Sequence, residues 1–277
     1  MNNASTKILL GPLVIFALLL SICAFYQSQH KQPWYSGRSL GSWMRGFDYH
    51  KATPEQQKLA VEAVSHIGTN AIPFLLSELG AQEPKNPARI FHVTVFGVAS
   101  ERQKRAVRAF AALGEAGKHA IPALNKLLDS EDINTVVHTI GVLSEMGQDG
   151  AWVMSRALTN ANGDIRYTVV NTLYNMGTNA SVAAYRLVQC VNDSKPEIAY
   201  HAASALSRIE VDSGALLPIL LKNLKSTNPT CRAASAMILG SYTNQITIVA
   251  PALVSLSNDP NTDVREAASN SIHELTK

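Results

Sequence analysis

Hydrophobic positions recur along this chain in one helical phrase, which ends at residues 68, 114, 147, 177, 210, 243 and 276. Most successive endpoints lie 33 residues apart, and a fixed period of that length marks a stack of helical hairpins. One residue before each endpoint the column reads Ile67, Leu113, Met146, Met176, Ile209, Tyr242 and Leu275. Four before, it reads Val64, Phe110, Leu143, Leu173, Leu206, Leu239 and Ile272. Eight before, it is small or β-branched: Ala60, Ala106, Thr139, Val169, Ala202, Ser235 and Ala268. Positions with these spacings share one face of a helix, so each phrase predicts an amphipathic helix whose apolar stripe is buried by its neighbours.

A turn and a second helix follow each first helix. Pro73, Pro122, Pro218 and Pro251 are placed near the start of the second helix, where a missing N–H leaves no bond unmade. Counted from the endpoints, Ser155 and Tyr185 fall in the column of Pro122, Pro218 and Pro251, which predicts a common register for the second helices. The pattern gives six hairpins and a final single helix over Asp263–Thr276, stacked about 10 Å apart in a right-handed superhelix. Upstream, Ser39 is a candidate N-cap for Leu40, Trp43, Met44 and Phe47, which share a helical face. This predicts a capping helix over 39–50 that covers the open end of the array, with an aromatic ligand platform as the alternative. The interval from 68 to 114 is longer than the period, which places an insertion at about 81–100. Its Ile90, Val93, Val95, Phe96 and Val98 make it apolar, as an extra packing element or a binding insertion would be.

The phrases RAVRAFAALGEAGKHAIPALNKLL and DPNTDVREAAS resemble HEAT repeats, in particular the short kind also found in bilin lyases, and the resemblance covers about residues 55–277. The stretch WYSGRSLGSWM is similar to the Tyr-x-Gly-Arg-x-Leu-x-x-Trp segment that follows the anchor of exported bacterial HEAT-repeat proteins. The resemblance implies an all-α fold, an α-solenoid, and says little about function. It also implies that the second helices line a concave binding surface. Their columns outside the apolar stripe supply Lys126, Arg156, Arg186, Gln189 and Lys222 as the expected contact row for a protein or peptide partner.

The run ILLGPLVIFALLLSICAF, residues 8–25, carries no charge. As a helix it is about 27 Å long, close to the hydrocarbon thickness of a bilayer. It predicts a transmembrane or signal-anchor helix over 8–26, after a tail at 1–7 and before a tether at 27–38, with the solenoid at 54–277. Cleavage and lipidation of Cys23 are the competing readings; each needs small residues before its site, whereas Ile22-Cys23-Ala24 offers only Ala24 for cleavage and Ile22 stands before Cys23. Lys7 on one side and Lys31 and Arg38 on the other leave the positive-inside rule nearly balanced. The short export-like start places the solenoid outside the cytoplasm, in a periplasmic or similar compartment.

The net charge is +3, with the basic excess before residue 129 and an acidic excess after it. Arg102, Lys104, Arg105 and Arg108 form a basic run that raises nucleic-acid binding as a class. The acidic C-terminal half and the membrane segment argue against it. Cys190 and Cys231 fall in apolar repeat columns and read as small buried hydrophobes. Neither a phosphate loop nor a nucleophile elbow occurs, and no Cys/His spacing suits a metal. A di-iron hydroxylase on HEAT-like repeats needs adjacent His-Glu pairs in its first helices. At those columns this chain has Lys58-Leu59, Lys104-Arg105, Val137-His138, Tyr167-Thr168, Tyr200-His201, Ala233-Ala234 and Glu266-Ala267. His138 and His201 lie two repeats apart, about 20 Å, and His273-Glu274 stands in another column. The expectation is a non-catalytic, membrane-tethered interaction scaffold without cofactor or metal. A bilin-lyase-type enzyme or accessory and a secreted binding module are the alternatives.

Overall fold

The computed structural model describes residues 32–48, 50–81, 101–209 and 213–276. The expected tail and anchor at 1–7 and 8–26, the start of the tether and nearly all of the insertion lie outside the described residues. What is described is a helical array behind a small N-terminal cap. The cap is β1 (Trp34–Tyr35) and β2 (Arg38–Ser39), followed by α1 (Leu40–Trp43) and a 3₁₀ turn over Met44–Phe47. The first helices of the hairpins are α2 (Pro54–Ile67), α4 (Glu101–Leu113), α6 (Ile133–Ser144), α8 (Gly163–Met176), α10 (Pro196–Arg208) and α12 (Pro229–Leu239). The second helices are α3 (Ile72–Leu79), α5 (Ile121–Leu127), α7 (Gly147–Met154), α9 (Ala184–Leu187), α11 (Ser213–Asn223) and α13 (Ile246–Val254), and α14 (Thr262–Leu275) closes the array. Each first helix packs on the next one along the chain.

Local chemistry sets these boundaries. Thr53 and Gln56 form a reciprocal capping box at the start of α2. Asp132, Asn162, Asn228 and Asn261, in the same repeat column, each accept a backbone N–H at a first-helix start, satisfying donors the helix leaves orphaned. Gly68, Gly114, Gly147 and Gly177 end the phrase with φ of 59°, 54°, 61° and 55°, a left-handed conformation that stops a right-handed helix and favours glycine. Among the described residues the stretch Pro54–Leu79 is long and apolar enough to cross a membrane. Gly68 folds it into a hairpin instead, and Val64, Leu75 and Leu79 are fully buried in the array.

The columns pack as the periodicity predicts. Ala60, Ala106, Thr139, Val169, Ala202, Ser235 and Ala268 are all 0% exposed, because consecutive first helices meet across them and a larger side chain would hold the backbones apart. Val64, Phe110, Leu143, Leu173, Leu206 and Leu239 are buried, and only the terminal Ile272 of that column is half-buried. The last helix turns Asp263, Glu266, Asn270, His273 and Glu274 outward, the polar face that the end of a repeat array needs.

Several expectations need correction. The tether assigned to 27–38 is not uniformly extended: Trp34 pairs with Ser39 and Tyr35 with Arg38 in a two-residue hairpin, with Ser36 and Gly37 at φ 46° and 72°. Positive φ at both central residues matches the strand twist. The capping helix assigned to 39–50 is shorter, running as α1 and a 3₁₀ turn from Leu40 to Phe47, and the Ser39 side chain makes no capping bond. Its apolar face is as expected, with Leu40, Met44 and Phe47 buried. Trp43 and Tyr35 are structural here: Trp43 Nε1 donates to the Tyr35 carbonyl at 3.0 Å, and Tyr35 stacks on His66 with centroids 4.9 Å apart. Gly46 is needed for close approach, since a Cβ there would stand 2.6 Å from the Gln56 carbonyl oxygen.

The common register of the second helices also fails. Pro73 and Pro122 sit in first turns, but Pro218 and Pro251 lie inside α11 and α13, whose helices absorb the turn that precedes α3 and α5. Ser155 follows the end of α7 rather than opening it, because α7 starts at Gly147 without an intervening 3₁₀ turn.

One feature of the repeats carries ionic bonds. Arg166 donates through Nε and Nη2 to Asp193 at 2.7 and 2.8 Å, and Arg232 donates likewise to Asp259 at 2.8 and 2.7 Å. Each Arg also binds the turn before its own helix, Arg166 at the Asn160 and Ala161 carbonyls and Arg232 at those of Ser226 and Thr227. Arg265 repeats the turn contact at Asp259 and Pro260. The side-chain bond from its arginine holds each aspartate carboxyl below its ordinary pKa against the opposing effect of burial. A depressed folded pKa contributes stability that is present above the unfolded value, about 3.9, and is lost as pH falls through the folded value. The thermal midpoint should therefore be insensitive to these two aspartates above about pH 5 and fall with acidification below about pH 4. In the Asp193→Asn, Asp259→Asn double variant this acid limb should flatten; an unchanged limb would remove these pairs as its source.

Candidate partner-binding groove

An open site lies at the ends of the second helices of repeats three and four. The helix α7 unwinds into 3₁₀ geometry over Ser155–Thr159, and α9 does so over Val188–Asn192. These endings, with Leu128 and Asp129 from the preceding layer, enclose a groove of about 700 Å³. Arg156, Arg186 and Gln189 of the expected contact row line it. Lys126 at the end of α5 and Lys222 near the end of α11 are exposed but stand outside its lining, so the structure gathers three of the five row residues and leaves two on neighbouring layers.

Each arginine reaches back one layer. Arg156 donates to the Asn125 side chain and lies 3.5 Å from Asp129. Arg186 donates to Ser155 Oγ at 3.1 Å, and its guanidinium lies 4.5 Å above the Trp152 ring. Ser155, fully buried, donates in turn to the Trp152 carbonyl at 2.7 Å. The chain Arg186–Ser155–Trp152 fixes a half-buried cation at the groove wall. Among the described residues no carboxylate pairs with Arg186, whereas the groove's two acids are engaged, Asp129 with Arg156 and Asp193 with Arg166. Trp152, under that guanidinium, is 52% exposed, and Tyr185, the residue before Arg186 in the chain, is 66% exposed. The periodicity analysis missed Trp152; its signal was an indole on the polar side of a second helix.

Cys190 also borders the groove, but it is buried and its Sγ lies 3.9 Å from the Leu158 carbonyl. Burial pushes its thiol up to about 12, which leaves it protonated and unreactive at neutral pH. Burial raises Cys231 as well, and both cysteines are unpaired.

A smaller cavity of about 430 Å³ lies by the cap, where Arg38, Arg45, Lys51 and Arg105 mix with Asp48 and Glu101. The basic run is mostly spent on internal bonds. Arg102 binds Glu78, Lys104 pairs with Glu101, Arg105 donates to the Glu101 carbonyl and Arg108 to that of Phe47. His138 and His201 do not meet; their Nδ1 atoms contact the Asn134 and Glu197 carbonyls of their own helices. Among the described residues no group of His, Cys, Asp and Glu could hold a metal ion.

Residues 185–273 match the family model for HEAT repeats. No curated protein shows significant similarity to it. Among solved structures, human deoxyhypusine hydroxylase in complex with glycerol is 17% identical, covering 96% of this chain and 99% of the other at a TM-score of 0.37. The archaeal HEAT-like repeats protein from Thermococcus onnurineus is 16% identical over 61% of this chain and 76% of that one, TM-score 0.45. Kap121p bound to Nup53p is 12% identical over 85% and 29%, TM-score 0.46. None of these likenesses is close enough to transfer an activity.

Proposed function

We propose that this HEAT-repeat chain is a non-catalytic scaffold, tethered to a membrane through residues 8–26, that binds a protein or peptide partner along its second helices. The groove at Arg156, Arg186 and Gln189, with the exposed Trp152 against Arg186, carries this reading. Exposed aromatics and arginines are the residue types that dominate binding energy at protein interfaces. The uncharged apolar run at residues 8–25 supports the tether, and the short export-like N-terminus supports a location outside the cytoplasm. A non-catalytic role is in keeping with histidines bonded to their own helices and with inert, buried thiols.

The test is photo-crosslinking in cells from position 189, followed by recovery of the full-length chain in an alkaline-washed membrane fraction. One defined partner should be captured there. Changing Lys126, Arg156, Arg186, Gln189 and Lys222 together to Ala should remove the capture. The thermal midpoint should drop by about 4 °C at most, because exposed polar pairs contribute little. Equal capture by both forms would exclude the row, and recovery in the soluble fraction would exclude the tether.

A further inference from the structure

We propose that Arg186 is a receptor for a carboxylate on an acidic, apolar-flanked peptide, and that the exposed Trp152 ring against it seats an apolar residue beside that carboxylate. This rests on the scaffold reading above and names the chemistry of its partner. Three observations converge on it. Arg186 is held on two sides, by the Ser155 hydroxyl and the Trp152 ring, so the ordering of a long side chain is already paid before a ligand arrives. Its remaining N–H donors meet no carboxylate among the described residues, while Asp129 and Asp193 are satisfied by Arg156 and Arg166. The groove therefore keeps one uncompensated positive charge at its wall, with Lys126 exposed on the adjacent layer.

The planar guanidinium presents donors in a fork that matches the two oxygens of a carboxylate. Stacking on the indole face keeps that fork in plane and reduces its hydration, which strengthens a charge-assisted bond. A ligand built only of acid would leave Trp152 uncovered. A ligand built only of apolar residues would desolvate Arg186 without a partner. An alternating acidic and apolar segment satisfies both, and an extended strand alternates its side chains between two faces.

The decisive measurement uses fluorescence anisotropy of the full-length chain in detergent micelles. The probes are two short labelled peptides, one alternating leucine with glutamate and one alternating leucine with glutamine. The glutamate peptide should bind about tenfold tighter or more, as a charge-assisted bond allows, and the preference should shrink as salt rises. Arg186→Ala should abolish the preference, Arg186→Lys should retain only part of it because the fork is lost, and Lys58→Ala, at an exposed position on α2 away from the groove, should leave it intact. Equal binding of the two peptides, or no binding of the glutamate peptide, overturns the carboxylate receptor. Competition by inorganic phosphate as strong as that by unlabelled glutamate peptide overturns the peptide assignment. Crosslinked capture from position 189 persisting in either case would show that the scaffold reading survives and that only this ligand chemistry is wrong.

Discussion

Gly150→Ala is expected to destabilise the protein by about 3 kcal/mol or more, at the upper end of what overpacking costs. Gly150 sits in the first turn of α7, immediately beneath the end of α6. A Cβ at this position would stand 1.8 Å from the Leu143 carbonyl oxygen, 2.7 Å from its carbon and 3.1 Å from Met146 Cβ. The obstacle is backbone that is itself bonded, since the Leu143 carbonyl accepts the Met146 N–H at 3.0 Å, so no rotamer change relieves it. Relief requires the two helices of the third hairpin to separate and opens the Leu143 contact. Gly141→Ala, in the preceding helix α6, is the control. Its Cβ would meet only Val107 Cγ1, at 3.8 Å, and a mid-helix glycine replaced by alanine gains up to about 1 kcal/mol of helix propensity. Urea denaturation of the two variants should give opposite signs. Equal tolerance would mean that the α6–α7 approach is looser than described.

Leu206→Ala is the second large effect, expected to cost about 2 to 5 kcal/mol through lost burial and a residual cavity. Leu206 is 4% exposed and stands between the fully buried Leu173 and Leu239 of the flanking layers, so no solvent can fill the space it leaves. In an array that touches only nearest neighbours, a weak central layer also divides the cooperative unit, and unfolding should broaden or resolve into two steps. Leu59→Ala, at a site 39% exposed, should remain within about 0.5 kcal/mol of the parent. A loss below about 1 kcal/mol for Leu206→Ala would remove this column from the core.

Both effects come from the helix ends and stripes, which were legible in different degrees. The apolar columns were legible because burial of one helix face imposes its spacing on the chain directly. The endpoint glycines were legible as a period, although the φ values that explain them are visible only in the fold. The N-cap column of Thr53, Asp132, Asn162, Asn228 and Asn261 was present in the same register and went unread, as did the Arg166–Asp193 and Arg232–Asp259 staples. An arginine and an aspartate 27 residues apart look like ordinary surface charge until folding brings them within bonding distance.

What the sequence determined by itself was the repeat, its all-helical character and the inward face of every first helix, because these follow from local periodicity and desolvation. Only the tertiary structure decided which row residues form a site. Lys126, Arg156, Arg186, Gln189 and Lys222 all lie in second-helix columns outside the apolar stripe, yet just three share the groove. The groove is lined by the 3₁₀ endings of α7 and α9 together with Leu128 and Asp129 of the layer before. Arg186 was likewise one exposed cation among several until the fold laid Trp152 beneath it and Ser155 beside it. Such contacts join residues about a repeat apart, so they depend on the offset between layers, and packing alone sets that offset.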